Sequence, residues 1–134
     1  MDQVCLVVPV QARKSDDARA FMRELEEQRK DAYAQSEQRI GIDKEVWFLA
    51  RADSSDLLVS YMESPDFANA LRLFSASQDE FDLWFKRRFA DSTSVDLNNP
   101  PEMTLPELLS SYSSADSPGL RSPRATAWRI HRWA

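Results

Sequence analysis

Three short runs in this chain, "CLVV" (Cys5–Val8), "VWFLA" (Val46–Ala50) and "LLV" (Leu57–Val59), are apolar at every position. Each lies in a stretch rich in β-branched or aromatic residues, which favours strand. Successive side chains of a strand point to opposite faces, so a sheet with one wet face alternates apolar and polar residues. These runs do not alternate, and both faces of the sheet they build need cover. Helices of a two-layer fold cover only one. The other requires a second copy of the sheet or the C-terminal segment folded back.

The helices are legible from their periodicity. Val4–Val10 reads as the first strand, with Pro9 at an end or edge because it cannot donate to a ladder. Ser15 is a good N-cap, and Asp16 and Asp17 suit the positive end of a helix dipole. Ala18, Phe21, Met22, Leu25, Ala32, Tyr33 and Ile40 then recur at near-helical spacing, predicting one long amphipathic helix that stops near Gly41. Glu45–Ala52 and Leu57–Met62, separated by "DSSD", form a hairpin. Ser64–Pro65 opens a second helix, with Pro at its first position and Phe67, Ala70, Leu71 and Phe74 as its stripe. Ser77 and Glu80 match a capping box for a third.

That third helix contains "FDLWFKRRF", four aromatics and three cations in an acidic protein. Phe81, Trp84, Phe85 and Phe89 fall on one helical face, predicting an aromatic core stripe beside a solvated flank of Lys86, Arg87 and Arg88. A ligand-stacking site is the competing reading, centred on Trp84, whose indole N–H wants a partner. Asn98–Pro106 is a turn-rich connector, and Glu107–Tyr112 reads as a short strand or a helical turn. The order β-α-β-β-α, then an accessory helix and a final strand candidate, predicts an α+β fold: a ferredoxin-like antiparallel sheet with helices on one face, over residues 1–112.

Composition narrows function by exclusion. The chain has 134 residues, one domain's worth, with net charge −5 and a pI near 4.9, which disfavours nucleic acid as a partner of the body. Residues 113–134 carry four Arg and one Asp, a net +3, which leaves −8 for the rest. This Trp-bearing tail is expected to dock on the acidic body. Its Trp128 and Ile130 would share a face in strand geometry, so it could also add to a sheet edge. A recognition peptide or RNA-contacting segment is a weaker reading of the same residues.

Cys5 is the single cysteine and His131 the single histidine, so neither a disulfide nor a metal site is expected. No phosphate loop, dinucleotide fingerprint or hydrolase motif occurs, and no cofactor is expected. "MDQVCLVVPV" has an acid where a signal peptide wants a base and is too short to span a bilayer. A cytoplasmic protein without membrane contact is expected.

The segments "EVWFLA", "LLVSYMESPDF", "FDLWFKRRF", "VDLNNPP" and "LPELL" resemble an uncharacterised bacterial family, DUF6176, of small dimeric α+β-barrel proteins. The family is related in fold to the antibiotic-biosynthesis-monooxygenase-like proteins. The similarity covers roughly residues 3–112. It implies a homodimer whose sheets pack face to face, which fits the doubly apolar strands, and makes "ELLSSY" a fourth strand closed by Tyr112. It brings no established reaction.

In such barrels the space between sheet and helices is the usual pocket. Candidate polar groups are Glu45, Arg51, Ser60, Tyr61, Glu63 and Tyr112, with Trp47 as a stacking wall. A loop of Ala52–Asp56 pairs Trp47 with Tyr61 across the hairpin, the register favoured because aromatic cross-strand pairs stabilise; a one-residue slip turns every side chain over. A cofactor-independent oxygenase or cyclase of natural-product type would use Glu45 or Glu63, with raised pKa, as its base. Tyr61 or the Trp47 N–H would hold the oxyanion. Trp47, Ser60, Trp84 and Tyr112 would line the ligand site. The plainer reading makes both glutamates solvent groups at strand ends and Tyr61 core. Two classes follow: a binder or enzyme for an apolar or aromatic small molecule, or a structural or regulatory dimer with a filled lumen.

Overall fold

A computed structural model describes residues 1–102 and 104–114. Among them, three strands and four helices follow in the order β1 (Asp2–Pro9), α1 (Ser15–Glu26), α2 (Lys30–Ile40), β2 (Lys44–Ala50), β3 (Leu57–Ser64), α3 (Phe67–Ala76) and α4 (Glu80–Thr93). The fold is α+β. The sheet is antiparallel in the order β1-β3-β2, so the middle strand is the last in sequence.

Register decides which side chains meet. Val8 opposes Leu58, Leu6 opposes Ser60 and Val4 opposes Met62; on the other side of β3, Leu49 opposes Leu58, Trp47 opposes Ser60 and Glu45 opposes Met62. These residues share the face on which the helices pack. The core forms there, with Val8 and Leu58 against Phe21, Phe81, Phe85 and Phe89. Phe21 meets Trp84 and Phe85 edge to face at 5.6 and 5.0 Å. The outer face carries Cys5, Val7, Val46, Phe48, Leu57, Val59, Tyr61 and Glu63. Phe48 stays 51% exposed and Val7 41%, so the apolar second face read from the sequence is present and lacks helical cover among the described residues.

The expected long helix is two. Between Leu25 and Ala32 the chain offers no apolar residue to hold a helix against the core, and α1 ends at Glu26. Arg29 pins the break: its backbone N–H donates to Glu24 O at 2.8 Å, and its guanidinium reaches Glu80 at 3.0 Å and lies 4.3 Å over the Trp84 ring. Gly41 ends α2 at φ +93°, a left-handed conformation that costs an L side chain strain.

Three expected caps differ. Ser15 begins α1, but its hydroxyl donates to Asp56 at 2.7 Å, tying the helix to the hairpin loop. Asp66 caps α3 through Asn69 N–H at 3.1 Å, which leaves Pro65 outside the helix. Asp79 caps α4 through Phe81 N–H, and Ser77 instead donates to Asp82 at 2.6 Å. The capping box does not form because the cap is Asp79, two residues on, which puts Glu80 at the first helical position, where it pairs with Arg29.

The aromatic stripe of α4 is buried as its spacing predicts, but Lys86 is not on a solvated flank. It is 1% exposed, and its ammonium donates to the carbonyls of Phe74, Ser75 and Ser77 at 2.8, 3.2 and 3.0 Å. It thereby supplies donors to carbonyls at and just beyond the C-terminal end of α3, where, among the described residues, only Phe74 also accepts a backbone N–H, from Ser77. Asp82 is also fully buried, accepting from Ser36, Ser77 and Arg39.

Residues 107–112, expected as a fourth strand, form no strand and are exposed, with Leu109 at 84%. No strand among the described residues pairs with them, and the sheet there has three strands. The basic tail expected at 113–134 lies outside the described residues beyond Ser114. Among the described residues no helix is long and apolar enough to cross a membrane.

Candidate functional site

Strand β2 is an edge of the sheet, and α2 lies over it. At the start of β2, Glu45 points to the helix side. On α2, Tyr33 and Glu37 are four residues apart and therefore share a face. The Tyr33 hydroxyl donates to Glu45 Oε2, and the Trp47 indole N–H donates to the same oxygen at 3.0 Å. Glu37 and Glu45 hydrogen-bond through their carboxyl groups, which requires a proton between them. Glu37 Oε2 is buried with no hydrogen-bond partner among the described residues.

Burial sets the chemistry of this pair. Desolvation is the largest cause raising Glu37, to about 9, and Glu45 and Asp82 push the same way. Desolvation also raises Glu45, against hydrogen bonds from Tyr33, Trp47 and Glu37 that favour its charged form. Tyr33 and Trp47 donate to Glu45 and no described group donates to Glu37 Oε2, so Glu45 is the first of the pair to ionise and Glu37 holds its proton to higher pH. Two carboxyls this close titrate as a unit, as like charges out of water must. The Tyr33 phenol stays neutral, raised by burial and then by the Glu45 charge.

The pair opens into a cavity of about 340 Å³ between the sheet and α2, α3 and α4. Its walls are Leu6 and Met62 from the sheet, Ile40, Ala70, Phe74, Phe81 and Phe85 from the helices, and Leu97, Pro100 and Leu105 from the connector after α4. A second hollow of about 560 Å³ lies between α1 and β2, lined by Ala18, Arg19, Met22 and Arg23 on the helix. Glu45 and Trp47 line both.

The sheet divides the residues singled out from sequence. Glu45 and Trp47 line the cavity. Ser60 is fully buried on the same face, its hydroxyl without a partner among the described residues, but it does not line the cavity. Tyr61 and Glu63 lie on the outer face. They do bond, Tyr61 O–H to Glu63 at 2.7 Å, and that bond pushes the phenol up to about 12. Trp84 sits between Phe21 and Phe81, away from the cavity lining. Tyr112 is 70% exposed.

The favoured hairpin register does not occur. The loop is Arg51–Asp56, longer by one residue than expected, so Tyr61 opposes Val46 and Trp47 opposes Ser60. Asp56 accepts from Ser15 and Val10, which holds the loop against α1. The slip puts Trp47 and Tyr61 on opposite faces.

Sequence reasoning missed Glu37 and placed Tyr33 only as core. The available signal was spacing: Tyr33, Glu37 and Ile40 run i, i+4, i+7, so Glu37 stands inside the apolar stripe. No curated protein and no solved structure matches this chain. The model of a family of unknown function, DUF6176, matches residues 1–109, most of the chain, and the protein belongs to that family.

Proposed function

We propose that the protein binds an apolar or aromatic small molecule between its sheet and helices, with the ligand's polar end at Glu37 and Glu45. The carrying observation is the 340 Å³ cavity with a carboxyl pair on its wall. Protein interiors leave few voids larger than a water molecule, and ligand sites join apolar walls to a few convergent polar groups. A catalytic extension, a cofactor-independent oxygenase or cyclase of natural-product type, would draw on the same pair. Glu45 would take a proton from an acidic C–H, with Tyr33 and Trp47 orienting it.

Titration with the uncharged dye N-phenyl-1-naphthylamine tests the binding reading. Ala70 is 1% exposed and lines the cavity, so Ala70→Phe should fill the space and lose the dye while the circular dichroism spectrum is retained. Equal binding by a folded Ala70→Phe and by the milder Ala70→Val would place the dye elsewhere and refute the proposal.

The outer sheet face supports a second element, a homodimer whose sheets pack face to face as in a dimeric α+β barrel. Its motive is an apolar face, centred on Phe48 and Val7, with the four described helices on the other side. A pairing of this kind also serves the alternative class, a structural or regulatory dimer.

A further inference from the structure

The cavity has one sign of charge. Its ionisable lining groups are Glu37, Glu45 and Glu102, and no Lys or Arg among the described residues lines it. Lys44, next to Glu45 in sequence, lies on the outer face opposite Glu63, while Arg39 pairs with Asp79 and Asp82 and Lys86 reaches carbonyls at the end of α3. Around the carboxyls stand the aromatic rings of Phe67, Phe74, Phe81, Phe85 and Trp47.

We propose that the ligand is a lipophilic amine whose ammonium head docks on the Glu37–Glu45 pair and whose ring system fills the apolar chamber. The proposal rests on the binding reading above and adds the ligand's charge.

Three observations converge on a cation. Glu37 Oε2 is a buried acceptor without a donor among the described residues, and an ammonium brings three donors. The described groups facing Glu37 are Glu45 on β2, Asp82 on α4 and Tyr33 on its own helix, and none of them is positive. A neutral ligand would leave the Glu45 charge desolvated and unpaired, an anionic one would add repulsion, and a cation compensates it by a charge-assisted hydrogen bond. Aromatic walls then suit an ammonium better than water alone would, through attraction to ring faces. The volume of about 340 Å³ accepts a fused two-ring body.

A proton linkage follows. In the empty site Glu37 keeps its proton because a second anion beside Glu45 is too costly. A docked ammonium removes that cost, so Glu37 ionises and its proton leaves to solvent. The ammonium keeps its own proton throughout.

The test uses the full chain and three matched probes: 1-naphthylmethylamine, 1-naphthylmethanol and 1-naphthoic acid. Isothermal titration calorimetry at pH 7, run in buffers of different ionisation enthalpy, reads affinity and proton release together. The amine should bind at least about tenfold more tightly than the alcohol, a 1.4 kcal/mol difference, with proton release, and the acid should not bind measurably. Glu37→Gln should abolish the proton release and bring amine and alcohol within about threefold of each other, a difference of under 1 kcal/mol. Ala70→Phe should block amine and alcohol alike. An alcohol that binds as well as the amine would overturn the charge assignment and leave the binding reading standing. An amine preference that survives Glu37→Gln and Ala70→Phe would be attraction to the acidic surface and would overturn it too. Failure of all three probes together with the uncharged dye would bring down both.

Discussion

Replacing Glu37 by Gln should make the protein more stable at alkaline pH and hardly change it in mild acid. An ordinary glutamate titrates near 4.5, and burial beside Glu45 raises Glu37 to about 9. A folded-state pKa above the unfolded one means the folded chain holds a proton that the unfolded chain has released. That contribution is fully present below about 4.5 and is lost as pH climbs towards 9. One proton of difference gives a slope of about 1.4 kcal/mol per pH unit, so the wild type loses about 3 kcal/mol between pH 6 and pH 8 through this group. For a chain of this length that is a melting shift on the order of 10 °C. The side-chain amide that Glu37→Gln introduces donates to Glu45 as the carboxyl O–H does, but never ionises. Differential scanning calorimetry from pH 5 to pH 8.5 should therefore show curves that meet near pH 5 and diverge above it, with the variant higher. Parallel curves, or a variant uniformly less stable, would mean that Glu37 carries no extra proton and that the shared-proton assignment is wrong.

Other substitutions probe separate parts of the structure. Phe85→Ala, at a ring that meets Phe21, Phe74 and Phe89, should cost about 3–5 kcal/mol in urea unfolding; a loss under 1 kcal/mol would mean the stripe is not core. Lys86→Ala should cost about 2–4 kcal/mol by stranding the carbonyls of Ser75 and Ser77 and removing one of the two donors to Phe74, where a solvated lysine would cost almost nothing. Phe48→Glu should turn a dimer into a monomer of about 15.4 kDa in light scattering without loss of helical signal; a wild-type monomer at micromolar concentration would refute the face-to-face pairing. Gly41→Ala should cost roughly 1 kcal/mol through its left-handed backbone alone, since a Cβ there meets nothing within 4 Å.

How much of this is legible from residue order follows from the range of each interaction. Strands β1–β3, the aromatic stripe of α4 and the doubly apolar sheet are written in local spacing, because burial of a strand or helix face imposes a period on its residues. So is the turn after Ile40, which needs a residue tolerant of positive φ, and Gly41 supplies it. Local patterns say nothing about which partner completes a polar group. Lys86 reads as one of three adjacent cations, and only the approach of the α3 C-terminus turns it inward to three carbonyls. Ser77 and Glu80 match a cap, but Asp79 takes that role, Ser77 turns to Asp82 five residues on, and Glu80 pairs with Arg29, which packing brings from just beyond α1. The hairpin register hangs on one residue of loop length, and the contact of Asp56 with α1 accompanies the longer loop. That residue sends Tyr61 out and keeps Glu45 and Trp47 in. Local pattern thus sets the elements and the need to cover both faces of the sheet. The site is a product of long-range packing: Tyr33 and Glu37 arrive on α2 only because the chain breaks at 27–29, and their meeting with Glu45 raises two carboxyl groups that no spacing rule connects.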